Sequence, residues 1–203
     1  MANGEIVQAQ GTSGLAALIS RAAPSADGLP PVDRWQPERP VDLNMEIRAD
    51  GSWYHQGGAI RREALVRLFS TVLRKDEDGN TYLVTPVEKV IVRVEDAPFI
   101  AVEMSADERD GEQVLTFRTN VGDVVEAGPD HPLRFNTDGK HDGLKPYLHV
   151  RGKLEALASR AVMHEMAALG QPQMINGTEM FAIRSAGAVF PVMTMQELEI
   201  QSR

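Results

Sequence analysis

Polar and apolar residues alternate strictly in two short stretches near the start of the folded part of the chain. Met45 and Ile47 alternate with charged residues, which is the period-two pattern of a half-buried strand. Asp50-Gly51 follows and favours a tight turn, because these residues tolerate positive backbone angles. Trp53 and His55 then share one face of the next extended stretch. The pattern predicts two strands joined by a tight turn.

From Ile60 onwards the apolar residues recur every three or four positions, which is the spacing of an amphipathic helix. The helix is predicted to end in the charged pair Arg74-Lys75. Asp78-Gly79 is a second turn signal, and Pro86 interrupts the apolar stretch after it. The residues that make up the apolar stripe are Ile60, Ala64, Leu65, Leu68, Phe69, Val72 and Leu73. Together these signals predict a compact unit of strands, one helix and a hairpin.

A partial copy of this unit lies about 94 residues further along the chain. At that shift Tyr147 lies over Trp53 and His149 over His55, and a glycine follows in each copy. Two amphipathic helices can share a stripe by coincidence, but the aromatic-x-His pattern ahead of the helix favours an internal repeat.

Strands arranged around one helix in each unit predict an α+β fold with two related small domains. Residues 1–28 are predicted to be a disordered tail, 29–96 an N-terminal α+β domain and 97–203 a C-terminal domain. Trp35 is expected to pin a proline-rich arm onto the first domain, because a tryptophan exposed to water is costly. The last residues, from Glu197, show no regular pattern. Further strands are predicted at Phe99–Met104, Gln113–Phe117, Val121–Val125, Met180–Arg184 and Ala188–Phe190.

Composition restricts the classes of function. The chain of 203 residues has 29 acidic and 21 basic side chains and no cysteine. Ten acids against four bases lie between Glu103 and Asp142, which argues against nonspecific binding of duplex nucleic acid. No apolar run approaches the roughly 20 residues that span a membrane, and no export signal is seen at the amino terminus. These features predict a cytoplasmic protein that does not insert into membranes.

The segment from Tyr147 to Arg151 carries the most distinctive candidate chemistry. Tyr147, His149 and Arg151 alternate with apolar residues, so a strand would present all three on one face. Arg151 could meet a carboxylate or phosphate, and Tyr147 could stack on a base. The alternative is that Arg151 pairs with a structural acid such as Glu88.

Other signals point away from familiar catalytic sites. The five histidines show no short metal-ligand spacing, so no metal site is predicted. The chain has no glycine-rich phosphate loop and no nucleophile elbow, and Ser185 lies in only a partial imitation of the latter. No cofactor is predicted, and a non-enzymatic role is favoured.

The residues DGSWYHQGGAIRREALVRLFSTVLRKDEDGNTYLVTPVEK, followed by VEDAPF, resemble the bacterial family known as domain of unknown function 1285. The resemblance extends through PYLHVRGKLEALASR to RSAGAVF and covers about residues 29–192. It implies two domains with a repeated structural motif, the second similar to a partly open pleckstrin-homology-like barrel. It also implies a signalling role and a small, nucleotide-like ligand near the domain interface, but no catalytic residues.

Three hypotheses follow. The leading one is signal transduction by a protein that binds a small anionic ligand between its domains. The second is a protein-interaction module that uses a barrel edge or an exposed helix face. The third, which is weaker, is a hydrolase or transferase with His149 as base and Glu88 as its carboxylate. The strand-face argument selects these candidate ligand-binding residues: His55, Arg62, Glu88, Tyr147, His149 and Arg151.

Overall fold

The computed structural model describes residues 28–37, 40–136 and 143–201. The tail predicted at residues 1–28 lies outside this part of the chain, except for Gly28. The chain divides into two compact units after Asp96. None of the described helices is both long enough and apolar enough to cross a membrane.

The described part of the N-terminal unit contains a six-stranded sheet and one α-helix. After a 3-10 turn at Val32–Arg34, the strands are β1 (Pro40–Ile47), β2 (Trp53–His55), β3 (Gly58–Ala59), β4 (Leu73–Lys75), β5 (Thr81–Val84) and β6 (Lys89–Val94). Helix α1 (Glu63–Thr71) lies between β3 and β4. The sheet order is β3-β2-β1-β6-β5-β4, and only the β1–β6 pair is parallel.

The core of this unit lies between the sheet and α1. The rings of Trp53 on β2 and Phe69 on α1 stack with their centroids 6.1 Å apart. Met45, Ile47 and Val90 from the neighbouring strands are also fully buried. The alternation that predicts β1 and β2 therefore marks the face that packs under the helix.

Helix α1 ends earlier than the apolar stripe predicts. The stripe places the end at Arg74-Lys75, but the helix stops at Thr71 and both charged residues belong to β4. The carbonyl of Val72 accepts a hydrogen bond from the amide of Val84, and Leu73 pairs with Leu83. Pairing with β5 therefore draws the chain into the sheet, although its apolar spacing remains helical.

Arg74 anchors the proline-rich arm. Its Nη1 donates to the carbonyl oxygens of Val32, at 2.6 Å, and Trp35, at 2.8 Å. Its Nε donates to Asp76 at 2.6 Å, and Lys89 also pairs with Asp76. Trp35 itself is half-buried. The arm is thus held through its main chain by a largely buried arginine, in addition to the apolar contact expected of Trp35.

Two sheets and two helices make up the described residues of the C-terminal unit. Its strands are β7 (Phe99–Arg109), β8 (Glu112–Thr119), β9 (Val124–Glu126), β10 (Leu133–Asn136), β11 (Lys145–Arg151), β12 (Leu154–Ala158), β13 (Gln171–Ile175), β14 (Thr178–Ser185) and β15 (Ala188–Thr194). Its helices are α2 (Arg160–Ala168) and α3 (Met195–Gln201). Helix α3 corrects the expectation that the last residues lack regular structure.

The larger sheet of this unit has the order β10-β11-β12-β7-β8-β9, and the smaller has the order β13-β14-β15. Only β12 and β7 pair in parallel. The larger sheet curls into a half-barrel, as a partly open pleckstrin-homology-like barrel requires. The predicted α+β class with two domains is therefore confirmed.

Both units repeat the order hairpin, helix, hairpin, but the 94-residue register does not hold through the helices. Helix α1 begins at Glu63 and α2 at Arg160, which are 97 residues apart. The difference arises between the matched glycine and the helix, because Gly58 lies five residues before α1 and Gly152 lies eight residues before α2. The repeat is one of element order, with strands of unequal length.

Candidate functional site

Tyr147, expected to stack on a ligand, is covered by another side chain. It lies on β11 and is only 6% exposed. The guanidinium of Arg134, from β10, lies 4.1 Å from the centroid of its ring. Arg134 is itself held by two hydrogen bonds to Glu155, at 3.0 and 2.8 Å. One face of the tyrosine ring is therefore occupied by an arginine from the same domain.

Both ring nitrogens of His149 lie against main-chain carbonyl groups. Nδ1 is 3.1 Å from the carbonyl oxygen of Asp130, and Nε2 is 2.7 Å from that of Gly152. The ring also stacks on His131, with centroids 5.6 Å apart. The ring of His149 therefore lies between the loop before β10 and the turn after β11, with a main-chain carbonyl oxygen beside each nitrogen.

Arg151 has an acidic partner within its own domain. Its Nη1 lies 2.8 Å from Oδ2 of Asp123, and its guanidinium lies 4.8 Å from the ring centroid of Phe99. The ladder between β11 and β12 shifts register between His149 and Arg151, which interrupts the strict alternation of side chains predicted there. Tyr147, His149 and Arg151 thus lie on one strand, each with contacts to other parts of its domain.

The other three candidate residues lie in the N-terminal unit. His55 is half-buried on β2, and burial lowers its pKa below 6.5. Arg62 is exposed just before α1 and lines a shallow hollow of about 680 Å³ beside Leu65 and Leu68. Glu88 is half-buried, and its amide donates to Oγ1 of Thr85 in a short turn. These three residues come from different parts of their unit: β2, the residue before α1 and the turn before β6.

The sequence interpretation named a barrel edge as a possible interaction surface but did not locate the open strand edge in the C-terminal unit. β8 pairs with β7 along nearly its whole length, but β12 pairs only with Phe99, Ile100 and Ala101. Beyond Ala101, the outer edge of β7 has no neighbouring strand among the described residues. Asp110-Gly111 forms the hairpin turn with positive φ angles of 54° and 80°, as such turns require.

The hydrogen bonds of β8 show which main-chain groups of β7 point outward. Leu115 lies opposite Ala106, yet its amide donates to Ser185 Oγ and its carbonyl accepts from Ala127. Leu115 and Ala106 are therefore a non-hydrogen-bonded pair, and the amide and carbonyl of Ala106 face the open edge. Glu108, two residues further along, has the same orientation.

Gln113 supports this assignment for Glu108. The two residues are opposite each other, and the carbonyl of Gln113 accepts a hydrogen bond from the amide of Ala186 instead of from β7. Within the part of the chain that the structure describes, the outward amides and carbonyls of Ala106 and Glu108 have no main-chain partner. Two donor–acceptor pairs are thus available along one exposed edge.

A polar cavity of about 410 Å³ adjoins this edge. One wall is formed by residues of the β7–β8 hairpin from Ala106 to Gln113. The cavity is also lined by Leu169 and Gln171, just before and at the start of β13, and by Arg184 and Gly187, which lie on the side of β8 away from β7. We call this space, together with the edge at Ala106 and Glu108, the edge slot.

Ser185, which also lines the cavity of the edge slot, joins the two sheets of the domain through its hydroxyl group. It is 1% exposed, and its hydroxyl accepts from the amide of Leu115, at 2.8 Å, and donates to the carbonyl of Ala127, at 2.6 Å. These bonds join the two sheets of the domain. Among the described residues, His, Asp and Glu side chains form no group of three or more that could hold a metal ion.

Comparison with protein families identifies the two units. The N-terminal domain of DUF1285, a domain of unknown function, matches residues 30–97, and the C-terminal domain of the same family matches residues 98–192. This chain belongs to the DUF1285 family. The match covers most of the chain and agrees with the resemblance seen in its sequence. No curated protein matches this DUF1285 chain.

Solved structures of two DUF1285 proteins are similar to it. The crystal structure of a family member from Silicibacter pomeroyi DSS-3 is 43% identical, covers 91% of this chain and 97% of its own, and superposes with a TM-score of 0.79. A family member from Shewanella baltica OS155 is 26% identical over 60% of this chain and 87% of its own, with a TM-score of 0.48. The first of these supports the same fold for this DUF1285 protein.

Proposed function

We propose that this DUF1285 protein is a non-enzymatic interaction module that binds an extended segment of a partner protein along the open edge of β7. The observation that carries the proposal is the outward direction of the amides and carbonyls of Ala106 and Glu108. An added strand would satisfy these groups with main-chain hydrogen bonds. Such a mode requires no catalytic side chain.

The dimensions of the edge suit a short peptide. Residues two apart on a strand are separated by about 6.7 Å, so Ala106 and Glu108 would bond alternate residues of the added strand. Both residues are exposed, and the edge slot beside them leaves room for side chains of the bound segment. A segment of about five residues would span both donor–acceptor pairs.

The contacts around β11 favour this function over binding of a small anionic ligand at Tyr147, His149 and Arg151. Such a ligand would compete with Arg134 for the tyrosine ring and with Asp123 for the arginine. A catalytic base at His149 would likewise have to break contacts with two main-chain carbonyl groups. The roles in signalling and in the cytoplasm stay predictions from the sequence.

The test exploits the orientation of the Ala106 amide. Ala106→Pro removes an outward N–H without removing a hydrogen bond to β8, and proline is tolerated at a sheet edge. Ala106→Val is the matched control, because it keeps the amide and adds a branched side chain that suits a strand. A random heptapeptide library displayed on phage would be selected against the full chain, and the selected peptides measured by fluorescence anisotropy.

We expect selected peptides to bind the original chain and Ala106→Val, to bind Ala106→Pro at least about tenfold more weakly, and to protect the Ala106 and Glu108 amides from hydrogen exchange. Failure to select any binding peptide would overturn the proposal. Peptides that bind Ala106→Pro as tightly as the original chain would overturn it too, because they would not use the edge.

A further inference from the structure

Some acidic side chains around the edge slot form ion pairs with basic residues, and others do not. Glu103 pairs with Arg118, and Glu126 pairs with Arg109 at 2.7 Å, so the carboxylates at those positions have basic partners. The acids that line the slot itself are Asp107, Glu108 and Glu112. In the described ranges, none of these three lies within ion-pair distance of a basic side chain.

One basic residue lines the slot. Arg184 is exposed at the end of β14, beside β8, and forms no ion pair within the described part of the chain. Arg109 interacts electrostatically with Asp107 but pairs with Glu126, and the three carboxylates and Arg184 leave the lining of the slot with a net negative charge. The Debye length is about 8–10 Å at moderate ionic strength, so charges within that distance of a bound segment still interact with it.

We propose that the segment accepted by the edge of β7 is basic, with Lys or Arg side chains that meet Asp107, Glu108 and Glu112. This inference rests on the proposed function, since it assigns the chemistry of the partner at the same edge. The main chain of β7 supplies the hydrogen bonds, and the three carboxylates select the side chains. The partner class is a protein with an exposed, extended, positively charged segment.

The same charges disfavour a second copy of this chain as the occupant. Antiparallel pairing of β7 with β7 of another copy would place Asp107 and Glu108 of both copies along one ladder. Like charges on neighbouring strands destabilise their pairing, and charged residues on an edge strand oppose self-association. A basic segment removes this repulsion and replaces it with attraction.

The test uses three heptapeptides with the same alternating threonine and valine framework. One carries lysine, one glutamate and one glutamine at the variable positions, and each is labelled for fluorescence anisotropy with the full chain. The triple variant Asp107→Asn, Glu108→Gln, Glu112→Gln removes the charges and keeps similar shapes. Glu63→Gln is the control, because Glu63 is an exposed acid on α1 in the other unit and does not line the edge slot.

We expect the lysine peptide to bind at least about tenfold more tightly than the glutamate peptide at low salt, with a ratio that shrinks as salt is added. The preference should disappear in the triple variant and persist in Glu63→Gln. Ala106→Pro should weaken the lysine peptide, which shows that binding uses the edge.

Other outcomes separate the two proposals. If the three peptides bind equally well and all lose affinity in Ala106→Pro, the basic-partner inference is wrong and the interaction function stands. If no peptide shows binding that depends on Ala106, both fail. Sedimentation velocity gives a further check, because a dimer that Ala106→Pro dissociates would identify a second copy as the occupant and overturn the inference.

Discussion

Arg151 and Asp123 form an ion pair with 2.8 Å between Nη1 and Oδ2, and their side chains are only 21% and 22% exposed. Asp123 belongs to the turn between β8 and β9, where its amide donates to Oγ1 of Thr119. The pair therefore connects the end of β11 to a turn that is already fixed by its own hydrogen bonds. The arginine chosen from the sequence as a ligand-binding residue has a structural partner in its domain.

Replacement of Arg151 should destabilise the domain. Arg151→Ala leaves Asp123 partly buried without this partner and uncovers the ring of Phe99. Because the pair is about four-fifths buried, we expect a loss of about 1–3 kcal/mol in the free energy of unfolding. Urea denaturation measures this value, and a double-mutant cycle with Asp123→Ala isolates the energy of the pair.

The matched control is Arg93→Ala. Arg93 pairs with Asp42 at 3.3 Å, but both side chains are about half exposed, so solvent already screens the pair. Its replacement should change stability much less than Arg151→Ala does. Equal effects of the two substitutions would argue that Arg151 is not a structural anchor and would restore its candidacy for ligand binding.

Replacement of Arg74 should release the N-terminal arm from the domain. Arg74→Ala removes donors to the carbonyl oxygens of Val32 and Trp35, so the arm loses its main-chain anchor. We expect faster tryptic cleavage at Arg34 and a red shift in the emission of Trp35, measured in a Trp53→Phe background. Arg67→Ala is the control, since its side chain is 61% exposed on α1. Cleavage at the same rate in both variants would contradict the anchoring role.

Ser185 should contribute more to stability than an ordinary serine. Ser185→Ala leaves the amide of Leu115 and the carbonyl of Ala127 without the hydroxyl that joins the two sheets. Loss of a buried hydrogen-bond partner costs about 1–3 kcal/mol, which urea denaturation would detect. Ser105→Ala, at an exposed position on β7, should have a much smaller effect. Similar losses in the two variants would show that the hydroxyl bridge adds nothing.

His55 should make stability depend on pH. Burial lowers its pKa below 6.5, so the unfolded chain binds a proton at a higher pH than the folded chain does. The contribution of neutral His55 is therefore present above about pH 6.5 and is lost as the pH falls through the folded pKa. We expect unfolding free energies measured between pH 7 and pH 5 to fall less steeply in His55→Gln than in the original chain.

The control for His55 is His164→Gln, because His164 is exposed on α2. It should keep the pH dependence of the original chain. If His55→Gln retains the full slope between pH 7 and pH 5, the burial of His55 does not contribute to acid destabilisation.

Several elements could be predicted from the sequence because their signals are local. The alternation around Met45 and Ile47 identifies β1, and the apolar stripe identifies α1, because each pattern needs only neighbouring residues. Asp110-Gly111 marks a hairpin for the same reason, since its backbone angles depend on the residue types themselves. The end of α1 could not be predicted this way, because pairing of Leu73 with Leu83 depends on a later strand.

In the candidate site too, the local strand could be predicted from the sequence, whereas the contacts between distant segments could not. The alternation of Tyr147, His149 and Arg151 predicted a strand, which is β11, but their contacts come from distant segments. Arg134 and Asp123 reach β11 from other strands and turns, so no spacing along the chain reveals them. No motif in the sequence marks the open edge at Ala106 and Glu108.

The sequence by itself determined the α+β class and most of the strands and helices, because periodicity and turn chemistry act over a few residues, and its long motifs resemble the DUF1285 family. Only the tertiary structure decided that β12 stops pairing with β7 after Ala101 and that the main-chain groups of Ala106 turn outward. Strand neighbours are chosen by contacts far apart in the chain, and every strand carries the same backbone groups. An open edge is therefore a property of the assembled sheet and not of the residues that form it.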